Sequence, residues 1–459
     1  MTTKKLLLLL SILLGLWTFQ QCRPLDEQLG GPRALKVSLD SVFFDTLISE
    51  WPSFTRSFRV YNEGNTAVRI KQVALQSPNS PYALIINGYK TNLLKDIKLL
   101  GGDSLLIQVS LKSAESGSNA PLELLDYVDI DQEGLRSTVV LSAWSQDVRV
   151  LRDSVLECNT RWSSVKPYRI QGDVLVPEGC VLTIEAGAQL FFDANARLFV
   201  GGQLRALGSV ENPITFSGVR LEDAYKEISG QWGGIIFGSN SQGSVMKGVI
   251  LKNAITGILV GVNDADRTPD LVIEDCQIRN MASSGIVAFD TDLVVRNSEF
   301  YNCLEHALLG TAGGNYTLIH NTMANFGDFF FEKPAVVLSA AFNDTTKNAL
   351  RIQLINNVIT GASEGKNELL ILPDNSLPFE ALIRNNYLRT TSTVLDSGQN
   401  ILNKENNLRL SSIENRILTP DSLSVLIDVA MPLAGFEKDL KGQVRDAKPD
   451  IGAYERSKK

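Results

Sequence analysis

The stretch Leu271–Asp292 reads LVIEDCQIRNMASSGIVAFDTD, and Leu293–Gly310 follows at once as LVVRNSEFYNCLEHALLG. The two open alike: an apolar run, a charged residue, then Asp275 in one and Asn297 in the other, 22 residues apart. Strands this short are not stable as isolated hairpins, so they must be stacked against copies of themselves. A fixed period in sequence is the mark of units that each cover the next.

Working outward, a strand ending in Asn or Asp recurs at Asn253, Asp275, Asn297, Asn321, Asn356 and Asn385, at intervals of 22, 22, 24, 35 and 29 residues. A period near 22, stretched by insertions, is one turn of a right-handed parallel β-helix. Coils about 4.8 Å apart bring equivalent residues into contact. Leu271 should then stack on Leu293, Ile273 on Val295 and Ile278 on Phe300, all inside. The Asn column belongs at a corner, where Asn tolerates left-handed backbone and its amide bonds to neighbouring coils. The next position, Ala254, Cys276, Ser298 and Thr322, is small. The one before, Lys252, Glu274, Arg296 and His320, is a charged column expected to face water. Cys158 and Cys180 are also 22 apart, which brings them within reach of a disulfide. Cys276 and Cys303 are out of phase and read as unpaired buried residues.

Further motifs carry a resemblance. Val176–Phe192 (VPEGCVLTIEAGAQLFF), Leu198–Phe216 (LFVGGQLRALGSVENPITF), Gly230–Gly238 (GQWGGIIFG), Gly313–Phe326 (GGNYTLIHNTMANF) and Asp439–Glu455 (DLKGQVRDAKPDIGAYE) together resemble right-handed parallel β-helix repeat lipoproteins of Bacteroidetes. The resemblance spans about 155–455 and implies a pectin-lyase-like, single-stranded β-helix of about ten coils. In the closing motif Gly442, Arg445, Asp450, Gly452, Tyr454 and Glu455 match, which implies a C-terminal capping coil.

Upstream the pattern changes. Residues 34–150 hold alternating strands separated by turns, as in SFRVYNEGNTAVRIKQVAL and SLLIQVSLKS, and indicate an antiparallel sandwich. The Val60–Asn65 turn and the glycine-led strand after Gly101 resemble immunoglobulin-like domains of the Hydin and SPD-2 type. The chain is thus expected to be all-β: an immunoglobulin-like β-sandwich, then the β-helix. It begins with two lysines, an apolar run from Leu6 to Leu16 and Cys22, which reads as a signal peptide over 1–21. The cysteine's place resembles the lipidation site of bacterial lipoproteins, although Gln21 departs from the small residue usual before it. Residues 22–33 read as a tether. The resemblance implies export and attachment to the outer membrane through a lipid on Cys22, with the chain either periplasmic or at the cell surface.

The net charge is −7 and no basic run stands out, which excludes nucleic acid as the expected partner. His306 and His320 are the two histidines, and neither is flanked by glycine, so the Gly-His-Gly segment of polygalacturonase-type hydrolases is missing. Both read as surface-column residues. For lyase chemistry the carboxylate candidates are Asp270 and Asp292, again 22 apart, with Asp264, Asp266, Asp290 and Arg267 nearby. An oxygen-rich cluster there would take calcium, while the plainer reading is loop aspartates facing solvent. Trp162, Trp232, Tyr316 and the run Phe326–Pro334 are candidates for stacking on sugars, with packing the commoner role. The expected function is non-catalytic: no catalytic residue and no cofactor, with glycan or an envelope protein held along the β-helix. The rivals are a polysaccharide lyase or hydrolase and a surface adhesin.

Overall fold

The computed structural model describes residues 28–261, 268–326, 333–362, 367–391, 398–403, 407–413 and 417–457. The chain divides after Asp147 into two compact units. Cys22 lies outside the described residues.

The first unit is a β-sandwich of two five-stranded sheets. One runs Lys36–Val37, Arg56–Tyr61, Ser104–Leu111, Tyr82–Ile86 and Tyr89–Lys90; the other runs Ser41–Ile48, Leu135–Gln146, Leu122–Gln132, Val68–Leu75 and Leu93–Leu99. Alternation puts Leu105, Ile107 and Val109 of one sheet into a common core with Val128, Ile130, Val139 and Leu141 of the other. The Val60–Asn65 turn is fixed by Asn62, whose buried amide donates to the carbonyls of Thr66, Leu99 and Leu100 at 2.9 to 3.1 Å.

The second unit is the right-handed parallel β-helix, with three strands in each coil. One coil is Leu271–Glu274, Gln277–Met281 and Ile286–Phe289; the next is Asp292–Arg296, Glu299–Cys303 and Leu308–Thr311. Equivalent strands pair in parallel and build three faces, of which the first runs through nine strands from Arg161–Trp162 to Phe379–Arg384. The core stacks as expected: Leu271 on Leu293, Ile273 on Val295 and Ile278 on Phe300, all essentially without exposure. Cys158 and Cys180 are joined by a disulfide with Cα atoms 4.7 Å apart, whereas Cys276 and Cys303 are buried free thiols.

The corner column is where sequence matching slips. Lys252 pairs with Arg279, so Asn253 starts a different corner with Asn280 and Asn302, all with positive φ. Gly248, φ +57°, is what precedes Asp275 in its own column, since Lys247 lies opposite Glu274. Ile319 pairs with Arg296, so the residue after Asn297 in the column is His320, φ +53°, and not Asn321. The true column is Asp275, Asn297, His320, Asn356 and Asn385, all left-handed. His320 is fully buried, which corrects its placement in a water-facing column. The charged column is Lys247, Glu274 and Arg296, in which both cations bond to the Glu274 carboxylate. A slip of one residue reverses inside and outside, which is why one misplaced letter moved a histidine from core to solvent.

The position after the corner is not uniformly small. It runs Cys276, Ser298, Asn321, Asn357, Asn386 and Asn400. The amide N–H of Asn321 donates to the Asn357 side chain at 3.0 Å, Asn357 N–H to Asn386 at 2.8 Å and Asn386 N–H to Asn400 at 3.0 Å. This internal asparagine ladder satisfies buried backbone donors that the turn would otherwise strand.

The closing motif does not continue the spiral. Residues 429–456 run back along the outside of the corner column as a lateral strap. Asn385 donates to Val429 O at 3.2 Å and Asn356 to Met431 O at 2.8 Å; Lys438 O accepts from Asn297 at 3.3 Å. Leu440, Ala453 and Tyr454 pack with Tyr301 and Ala324, and Ile451 packs with Val358 and Tyr387. The motif expected to cap an end therefore covers a side, because Asn297, Asn356 and Asn385 of this column turn their amides outward to meet it.

Candidate functional site on the first face

Strands of the first face alternate inward and outward residues, so side chains two apart share the outer surface. Asp292, Asn315, Arg351 and Glu380 occupy one outward column on four successive coils, and Val294, Thr317, Gln353 and Leu382 the next. With Pro269 beside them they line an open groove of about 550 Å³. Its polar row is hydrogen-bonded end to end. Asn315 Nδ2 donates to Asp292 Oδ1, Arg351 Nη1 to Asn315 Oδ1 at 3.4 Å, and Arg351 Nε to Glu380 Oε1 at 3.1 Å. The groove thus offers a carboxylate, an amide, a guanidinium and a second carboxylate in sequence, beside a row with apolar Val294 and Leu382 at its ends. Both donors and acceptors are available over several coils.

Asp270 and Asp292 are stacked as their spacing predicts, but their carboxylates part company. Asp270 is buried, accepting from Thr291 Oγ1 at 2.7 Å and the Asp292 N–H at 2.8 Å, so it stitches one coil to the next. Asp292 turns into the groove. The two do not form an oxygen cage, and among the described residues no three His, Cys, Asp or Glu side chains converge on a point. Asp290 accepts from Asn348 at 2.7 Å; Asp264, Asp266 and Arg267 lie outside the described residues.

Neither histidine is at the surface. His306 Nδ1–H donates to Pro334 O at 2.6 Å, and burial holds its pKa below the ordinary value. His320 Nδ1–H donates to Gly452 O at 3.2 Å while Nε2 accepts from Asn356 at 2.8 Å. Burial, reinforced by the Arg445 charge, pushes its pKa down to about 3. Trp162, Trp232 and Tyr316 are corrected likewise: all are buried. Trp162 stacks on Tyr168 at 5.0 Å, Trp232 on Phe192 at 4.0 Å, and Tyr316 donates its hydroxyl to Gly313 O at 3.0 Å. They pack coils and cannot stack on a sugar. In the run Phe326–Pro334, residues 327–332 lie outside the described residues.

Arg351 and Glu380 are not legible from the spacing because insertions of 14 and 7 residues beyond the 22-residue period separate their strands from the repeat. The signal was present: LRIQLI and FEALIR carry the same alternation as DLVVR.

Residues 206–323 match the family model described as the right handed beta helix region. Among solved structures, the chain is similar to one titled "Crystal structure of Agl-KA catalytic domain", at 9% identity over 72% of this chain and 76% of that one, with a TM-score of 0.23. Likeness at that level says nothing of activity or substrate. No curated protein matches the chain.

Proposed function

We propose that the protein is a non-catalytic cell-envelope lipoprotein that holds an extended glycan along the first face of its β-helix. The observation that carries this reading is the groove spanning four coils, in which a hydrogen-bonded polar row lies beside a row with apolar ends. A polysaccharide strand has the matching chemistry: hydroxyls along its edges and C–H faces between them, repeated over a length that a single pocket would not cover. The N-terminal sequence supports the lipoprotein part, with an apolar leader ending at Cys22. The likeness of its motifs to Bacteroidetes lipoproteins supports the outer membrane, with a Hydin-like sandwich as spacer between lipid and β-helix.

The protein beginning after Cys22 is to be titrated with acidic and neutral polysaccharides, with and without calcium. Saturable binding is expected without unsaturated products or new reducing ends. Arg351→Ala should weaken binding tenfold or more, as loss of a charge-assisted hydrogen bond would. Turnover that Asp292→Ala abolishes would replace this reading with a lyase or hydrolase. Neither binding nor turnover would leave an envelope protein as the partner. For the anchor, Cys22→Ser is expected to move the chain from the membrane fraction to the soluble one; unchanged retention would count against acylation.

A further inference from the structure

The third face of the β-helix differs from the first in one respect. Its strands carry apolar runs with polar residues only at their ends: Leu198, Phe199 and Val200 after Arg197 on one coil, Ile258, Leu259 and Val260 on another, Leu308 and Leu309 before Gly310 and Thr311 on a third. The outer residues of each triplet are buried in the core and the middle one points outward. In register these middle residues form one unbroken ladder on nine coils, from Val155 through Phe199, Ile236, Leu259 and Val287 to Leu370. Strands that read as continuous hydrophobic runs are those covered on both sides. Here the core covers one side, and among the described residues the other side is left partly open on every rung but Val337, which is 8% exposed.

The surface beside the ladder is asymmetric. The next outward position is glycine on three successive coils, Gly201, Gly238 and Gly261, which among the described residues leaves a shelf without side chains of its own. On the following coil it is Phe289, whose ring meets that of the largely exposed Phe342 at 5.4 Å and forms a knob. Shelf and knob lie on the same side of the ladder, on opposite halves of its length.

We infer that the third face is an interface with a second copy of this chain, packed face to face with the two ladders antiparallel. A two-fold axis parallel to the strands through Leu259 leaves each shoulder on its own side and reverses the order of coils. Gly238 of one copy then faces Phe289 of the other, so knob fills shelf twice, and Leu259 faces itself. This isologous fit follows from the ladder's own layout. The size is adequate: eight spacings of about 4.8 Å between nine coils, and a width of about six residues for a strand together with the shelf beside it, give roughly 750 Å² per copy, near the 800 Å² of a standard interface.

The test uses the full chain carrying Cys22→Ser. Sedimentation at 1 to 50 µM (roughly the range in which such an interface would hold) should give twice the chain mass. Gly238→Trp fills the shelf; a Cβ there meets nothing closer than 3.5 Å and lies on the outer surface, so the variant should fold unchanged and sediment as a monomer. Facing sheets are about 10 Å apart, so a short bismaleimide, not a disulfide, reports proximity. Leu259→Cys should cross-link to itself, and Phe199→Cys should cross-link to Leu309→Cys when the two are mixed. Background is low because Cys276 and Cys303 are buried, with thiols pushed up to about 12. A monomeric parent, or a dimer indifferent to Gly238→Trp, overturns the inference. Self-cross-linking of Phe199→Cys overturns the antiparallel arrangement.

Discussion

Arg445→Ala is expected to destabilise the protein by about 3 to 5 kcal/mol, the scale set when one partner of a buried charge pair is removed. Arg445 and Glu455 are each 3% exposed and lie 3.4 Å apart. The guanidinium also donates to Asn297 Oδ1 at 3.0 Å, Gly452 O at 2.9 Å and Asp450 O at 3.3 Å. It therefore ties the strap to the corner of one coil and closes the strap's own loop. Removal leaves the Glu455 carboxylate buried without its counter-charge, and burial already pushes that group's pKa up. Because the strap lies on the side of the stack, its release need not unravel the coils. Hydrogen exchange should show protection lost first in residues 429–456 and only later in the strands. Arg445→Lys, which keeps the charge but not the fork, should recover part of the loss. Equal loss of protection throughout the β-helix would show that strap and coils form one cooperative unit.

The second large effect is on pH dependence. His320 is neutral in the folded chain with its pKa pushed down to about 3, against 6.5 for an ordinary histidine. Between these values the unfolded chain binds a proton that the folded chain refuses, so stability is complete above about pH 6.5 and falls as pH falls. The slope is at most about 1.4 kcal/mol per pH unit, or about 2 kcal/mol between pH 6.5 and 5. His306, also depressed by burial, adds a slope of the same sign. Asp275, Glu299, Asp450 and Glu455 are raised by burial and act in the opposite sense from their ordinary values upward, so the histidine's share is read from the difference between His320→Asn and the parent at each pH. His320→Asn puts into the column the residue its neighbours already carry, suited to left-handed backbone and unable to protonate. Denaturation midpoints at pH 7.5, 6 and 5 should then fall less steeply than in the parent, with His306 supplying what remains. An unchanged slope would mean that His320 takes up its proton without opening the corner.

What the sequence by itself determined was the local and the periodic. Alternation and a 22-residue interval suffice for a stacked β-helix, because each column needs its like one coil away, and Leu271, Leu293, Ile273 and Val295 announce this without a structure. The all-β class followed from the same facts. Spacing alone could not decide the phase of a column once insertions entered. Asn253 and Asn321 carried the right letter in the wrong register, and hydrogen bonding between coils, which no single strand encodes, placed Gly248 and His320 there instead. Contacts across long separations were equally hidden. Arg445 meets Asn297 from 148 residues away and His320 meets Gly452 from 132, so a motif read as an end cap became a strap along the side. The groove shows the same division. Asp292 was visible because it repeats Asp270, while Arg351 and Glu380 joined it only when folding aligned strands that the chain keeps apart. Secondary structure obeys forces that act over a few residues, but a site on a β-helix is assembled across coils, and only stacking brings its members to one surface.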